Sequence, residues 1–215
     1  MKVISVNVGL PREVVVRGES VLTSIFKDPV AGRVRVDWLN LVGDRQSDLT
    51  VHGGVEKAVY VYPSEHYAFW REELPGVELP WGSFGENLTV DGLTEDSVQI
   101  GDVIEIGSAS FVVTQPRMPC YKLGIRFGRL DIVKRFLRSG RSGFYLSVLR
   151  EGDVGAGDSI VLTPSQAAAI TVAEFVSIYA ANGSDQDLLR RASRVPAIPE
   201  DWRDYFQKRL REPAS

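Results

Sequence analysis

Cys120 is the only cysteine among 215 residues. It stands in TQPRMPCYKLG (114–124), just after Arg117 and just before Lys122. A lone thiol either packs as a small buried hydrophobe or reacts as a thiolate. An unperturbed thiol with a pKa of about 8.5 is only ~3% ionised at neutral pH. Bringing it to about 7 takes ~2 kcal/mol of preferential stabilisation, which one desolvated arginine or lysine nearby could supply. Arg117 and Lys122 are the candidates. Pro116 and Pro119 stiffen the stretch and bias Gln115 and Met118 toward extended backbone, a frame suited to aiming one side chain.

Three further stretches hold residue types that are poor choices for packing alone. GDRQSDLTVHGGVEKAVYVYPSEHY (43–67) gathers Asp44, Arg45, Gln46, Asp48, His52 and Lys57, with Gly53 and Gly54 directly after the histidine. Paired glycines let backbone amides approach a ligand or another chain segment; the alternative is a surface loop with solvated charges. GSFGENLTVDG (82–92) sets Gly82 and Gly85 around Phe84, and Glu86-Asn87 lead into an apolar strand. Its amides could face an anion, or it is a hairpin turn. RSGRSGFYLSVLREGDVGAGD (138–158) places Arg138 and Arg141 in a basic turn that could close on an anion or simply end a helix.

Several chemistries are poorly supported. Two histidines and one cysteine, with no short-spaced ligand pair, make a poor zinc site. No GxSxG elbow marks a serine hydrolase, and no GxxxxGK[ST] loop marks a phosphate-binding P-loop. No flavin, nicotinamide or iron–sulfur motif is evident, so any redox chemistry would draw electrons from elsewhere.

The elements that must position these residues are mostly short strands. KVISVNVG, AVYVYP, VQIGDVIEIG, SFVVTQP and DSIVLTP each end at a turn residue. Many short strands with few helices between them predict an antiparallel barrel rather than a βαβ sheet. Two helices are predicted within the barrel region. One spans 64–74, with Ser64 as its N-cap; the other spans 128–140 and stops at Gly140. After Pro164 the composition changes to three short helices. The first opens with the capping-box pair Thr171/Glu174 and ends at Asn182-Gly183. The second starts at Ser184, and the third has Pro199 in its first turn. Each is too short to be stable alone, so they must pack on one another or on the barrel. The predicted organisation is a mainly β (α+β) domain over 1–165 and a small three-helix subdomain over 166–215, joined near 165–170.

The length suits one full domain with a small appendage. A net charge of −3 gives no electrostatic case for nucleic acid or an anionic membrane surface, and no apolar run is long enough to span a bilayer. The N-terminus looks like a strand rather than a signal peptide. A cytoplasmic protein is expected, and a single cysteine fits a reducing compartment.

Taken in order, GDRQSDLTVHGGVEKAVYVYPSEHY, WGSFGENLTVDGL, VQIGDVIEIG, QPRMPCYKLGIRFG and RSGFYLSVLREGDVGAGD, followed by a three-helix tail, resemble a MOSC domain protein. This family is named for the C-terminal domain of molybdenum cofactor sulfurases. The resemblance extends to its stand-alone YiiM-type members and covers about residues 1–210. It implies a MOSC-type β-barrel with peripheral helices. It also implies molybdenum cofactor (molybdopterin), a molybdenum ion held by the dithiolene of a pterin phosphate. The family's HGG stretch falls on His52, Gly53 and Gly54, its FGEN turn on Phe84 to Asn87, and its cysteine on Cys120. The implied activity is reduction of N-hydroxylated compounds such as hydroxylaminopurines. In that scheme Cys120 is metal ligand and catalytic residue, and His52, then Glu86, are proton sources. Arg117, Lys57, Gly53, Gly54, Asn87 and Arg141 are cofactor-binding candidates. The implied partners are a small-molecule substrate and a separate electron-donating reductase; a homodimer stays open. The alternative is a carrier that bears sulfur as a Cys120 persulfide, or passes on the cofactor, without turnover of its own. Reductase relatives have a larger N-terminal β domain that is absent here, so cofactor contacts located there do not transfer.

Overall fold

The computed structural model describes residues 1–47, 53–165, 170–180 and 185–211. The strands are β1 (Lys2–Val8), β2 (Arg12–Val16), β3 (Glu19–Thr23), β4 (Asp28–Pro29), β5 (Arg33–Asp37), β6 (Asn40–Leu41), β7 (Val59–Pro63), β8 (Leu88–Asp91), β9 (Val103–Ile106), β10 (Ala109–Pro116), β11 (Phe144–Arg150), β12 (Gly152–Gly155) and β13 (Ile160–Thr163). The α-helices are α1 (His66–Glu73), α2 (Tyr121–Phe127), α3 (Asp131–Ser139), α4 (Val172–Ala180), α5 (Gln186–Ala192) and α6 (Glu200–Arg211). The fold is mixed α+β and mainly sheet, as the sequence predicts.

Eight strands form one sheet in the order β13-β9-β10-β11-β7-β8-β1-β4. Its ladder does not close into a barrel, but it curls until one edge meets β1. Lys2 bridges Ser159, the Ile160 amide donates to Met1 O at 3.1 Å, and the Val3 amide donates to Asp158 O at 2.9 Å. One feature departs from the predicted antiparallel arrangement. β7 and β8 pair in parallel, Val61 opposite Leu88, with α1 in the crossover between them. A parallel pair needs such a crossover, and the helix expected at 64–74 supplies it. β12-β5-β6 form a smaller sheet, and β2-β3 form a separate hairpin.

The core has two parts. One lies along the large sheet and continues without a break into the C-terminal helices through Phe175, Ile178, Leu189 and Phe206. That continuity answers how three short helices are stabilised: they bury their apolar faces on the sheet as well as on one another. α4 carries the predicted capping box, with the Thr171 amide donating to Glu174 Oε2 at 2.8 Å and the Glu174 amide to Thr171 Oγ1 at 3.0 Å. At α5 the cap is Asp185, which accepts from Asp187 N and Leu188 N. The expected helix signals at Ser184 and Asn182-Gly183, and most of the expected junction at 165–170, lie outside the described residues.

The second core is aromatic. Tyr62, Tyr67, Trp70, Phe84 and Phe136 are all essentially inaccessible. Trp70 stacks on Phe136 with centroids 5.8 Å apart, and its Nε1–H donates to Tyr62 Oη at 2.7 Å. This cluster packs α1, α3 and the 82–87 turn against β7.

Candidate functional site

Cys120 is the N-cap residue of α2, with φ −119° and ψ 173°. Gln115 is in strand β10 and Cys120 is itself extended, and the helix begins directly after it. α2, which starts at the next residue, was not anticipated: YKLGIRF carries an internal glycine and too short an apolar pattern. Cys120 is half-buried and makes no disulfide. It lies on a wall shared by two clefts that also share Lys57, Met118 and Tyr145.

The first cleft, of about 100 Å³, is cationic. Lys27, Lys57, Arg117 and Lys122 line it together with Asp44, Tyr60 and Phe84. Lys27 and Asp44 form a buried ion pair. Burial pulls the Lys27 amine below its ordinary value while Asp44 pulls it back. Asp44 also accepts from Gly9 N at 2.9 Å and Asn87 Nδ2 at 2.8 Å, so this carboxylate is fully engaged. Lys122 donates to Ser47 Oγ at 2.9 Å.

Arg117 is the informative cation. It is only 5% exposed, with its guanidinium 5.0 Å from the Phe136 ring and 5.4 Å from the Tyr60 ring. Its Nη1 is buried and finds no acceptor among the described residues; the same holds for Ser24 Oγ in the same cleft. Buried polar atoms are nearly always paired, and an arginine cannot shed its charge. A buried guanidinium with such a donor at a cleft has the chemistry to hold an anion. This is the test that a pterin phosphate must pass, and the residues fit it. Cys120 supplies the soft donor that a molybdenum centre would need. Among the described residues no three His, Cys, Asp or Glu side chains gather as a metal site.

The remaining sequence candidates are placed differently. Glu86, expected as a proton source, is fully buried. Its carboxylate accepts from Tyr67 Oη, Gly82 N at 2.9 Å, Thr89 Oγ1 at 2.9 Å and Phe84 N at 3.1 Å. It braces the 82–87 turn and does not line the cleft. The glycines there serve close packing rather than an anion. A Cβ on Gly82 would come within 2.6 Å of Lys27 O, and the amides of residues 82 to 85 are all spent on protein acceptors. Asn87 lines the cleft, but its side chain is committed to Tyr60 N, Asn7 O and Asp44, so it positions rather than binds. Arg141 stacks on Phe69 at 3.9 Å, outside the described lining. Gly53 and Gly54 lie outside that lining too; Gly54, at φ +93°, starts the 3-10 turn Val55–Lys57 that carries Lys57. His52 lies outside the described residues.

Among the lining residues that the sequence did not single out are two aromatics and the buried Lys27. Tyr145 on β11 faces both clefts, and burial pushes its phenol above the ordinary range, partly offset by Arg117 beside it. Trp202 on α6 lines the second cleft. A tyrosine in a strand and an aromatic stripe on a helix look like core, and only the tertiary fold brings them to Cys120.

Glu86 makes a testable pH dependence. Burial raises its carboxyl above the ordinary 4.5, against the hydrogen bonds from Tyr67, Gly82 and Thr89. The folded state then holds this proton more tightly than the unfolded chain. The contribution is fully present below 4.5 and is lost as pH rises through the folded value. Urea midpoints measured from pH 4.5 upward should fall more steeply in the parent protein than in Glu86→Gln. Equal slopes would contradict the assignment.

A mainly β sheet with a single thiol on a cationic cleft, and three helices docked beside it, defines the class of protein. The family follows from comparison with known proteins. A family model described as MOSC domain matches residues 48–161, and one described as YiiM-like, 3-alpha helix domain matches residues 170–212. The chain belongs to the MOSC domain family, in its YiiM-like form. A Bacillus subtilis protein called YflK is 40% identical over 96% of this chain and 93% of its own. The crystal structure of YiiM from Geobacillus stearothermophilus superposes with a TM-score of 0.81 at 36% identity, covering 97% of this chain and 98% of that one. A Gibberella moniliformis protein named a reductase is 31% identical over 90% of this chain, which spans only 35% of its length. The family is associated with binding or sulfuration of the molybdenum cofactor. No described helix is long and apolar enough to cross a membrane.

Proposed function

We propose that this chain is a cytoplasmic, molybdenum-cofactor-dependent oxidoreductase that reduces N-hydroxylated compounds of the hydroxylaminopurine type. The observation that carries this is the half-buried Cys120 thiol beside a cleft whose buried Arg117 has a donor with no acceptor among the described residues. When bound, the cofactor supplies a two-electron redox change at its metal.

The chain's own residues do the rest. Cys120 holds the metal as a thiolate. Arg117 holds the pterin phosphate through charge-assisted hydrogen bonds, with Lys57 and Lys122 adding positive charge. Asp44 and Asn87 keep Lys27 and the backbone at Tyr60 in place. The reaction R–NHOH + 2e⁻ + 2H⁺ → R–NH₂ + H₂O breaks the N–O bond and needs two protons. His52 is one proposed donor. Tyr145, whose phenol keeps its proton at neutral pH, is the other. A separate reductase supplies the electrons. The fungal relative named a reductase, much longer than this chain, supports the same reading.

The test is reduction of an N-hydroxylated purine by protein made in cofactor-competent cells, with a reduced viologen dye as electron source. Appearance of the amine is expected. No turnover, together with a persulfide on Cys120 by mass spectrometry, would favour the carrier instead.

A further inference from the structure

Among the described residues of the C-terminal helices, one side chain lines a cleft beside the thiol. The second cleft, of about 220 Å³, runs from Cys120 and Tyr145 past Met118 and Pro119 to the Trp202 indole on α6. Its chemistry differs from that of the first. Lys57 lines both, but Lys27, Asp44, Arg117 and Lys122 line the first cleft only; the second instead has two prolines, Gln115 and an indole. An anion belongs in the first compartment, whereas the second suits a flat ring of low charge.

Trp202 is held ready for such a ring. Its Nε1–H donates to Gln115 Oε1 at 2.8 Å. Gln115 is 3% exposed and sits opposite Tyr145 in the β10–β11 ladder. Phe175 meets the indole edge-on at 5.0 Å, Tyr205 and Tyr179 do so at 5.6 and 5.8 Å, and Phe206 stacks on it at 6.0 Å. An indole fixed in this way loses little conformational freedom on binding. Met118 adds a polarisable thioether, which is favourable against aromatic rings.

We propose that this second cleft is the substrate compartment, and that Trp202 is its specificity-determining residue, selecting planar heteroaromatic N-hydroxylated bases by ring contact. The inference rests on the reductase reading for its substrate class. On it, the three-helix segment completes the pocket that the sheet begins.

Two measurements test it. In holoenzyme, Trp202→Leu should raise KM for an N-hydroxylated purine roughly 10- to 100-fold, the scale of one lost base–aromatic stack. It should leave kcat for that substrate, and the kinetics of ringless hydroxylamine, unchanged. Equal loss on both substrates, or no loss on either, would overturn the assignment. The parent protein gives a readout independent of activity and of how the variant folds. It has four tryptophans, and the Trp202 indole N–H resonance, identified by its absence in Trp202→Phe, should shift on titration with adenine. A Trp202 signal that stays put would overturn the inference. If the parent reduces neither hydroxylamine nor the purine, the reductase reading fails, while the titration still decides the cleft.

Discussion

Cys120→Ala is expected to abolish reduction of N-hydroxylated compounds and to strip molybdenum from the protein, with the fold intact. Losing an outer partner of a metal ligand already costs about 10- to 100-fold in affinity or activity. Losing the protein's own ligand should cost at least about 100-fold by the same measure. Stability should change little, because Cys120 is only half-buried and alanine keeps its Cβ. Cys120→Ser should not rescue activity, because a hard oxygen donor replaces a soft sulfur. Metal analysis beside thermal unfolding separates these outcomes. A variant that folds, keeps its molybdenum and turns over would show that the thiol is only packing.

Arg117→Met should weaken cofactor retention by roughly 10- to 100-fold, the worth of a charge-assisted hydrogen bond of about 1.5–3 kcal/mol. The same change should leave the protein as stable as before, or more so. It removes a buried charge that has no carboxylate partner among the described residues, and a well-packed apolar replacement commonly improves on a buried charge. Arg117→Lys should fall between the two, since an ammonium cannot reproduce the bidentate fork. Pterin content after gel filtration, with thermal unfolding alongside, reads both effects. Cofactor kept at parental levels in a destabilised variant would make Arg117 a structural cation held by Tyr60 and Phe136.

The local rules of the chain were legible where the signal is local. Short runs bounded by turn residues located β1, β7, β9, β10 and β13. The Thr171/Glu174 capping box and the Gly140 stop, which the structure shows in left-handed conformation, marked helix ends. Features that depend on distant partners were not legible. FGEN looked like a ligand-facing turn because its glycines and carboxylate are rare in packing. Its amides in fact go to protein acceptors, Phe84 N to Glu86, Gly85 N to Gly82 O and Asn87 N to Tyr60 O, and the turn passes close to Lys27 and Ile25. Arg141 looked like an anion contact but finds Phe69 instead. Tyr145 and Trp202 carried no chemical signature in sequence. Their approach to Cys120 comes from the β10–β11 register and from how α6 docks on the sheet. The parallel β7–β8 pair was hidden for a similar reason: pairing direction is set by where the crossover packs.

The most direct measurement is the molybdenum and pterin content of the native protein, expressed in cells that make the cofactor and purified without reductant or chelator. The account predicts both in equal amount, and neither in Cys120→Ala. A parent protein free of molybdenum and pterin, while other molybdoenzymes in the same cells are loaded, would contradict it.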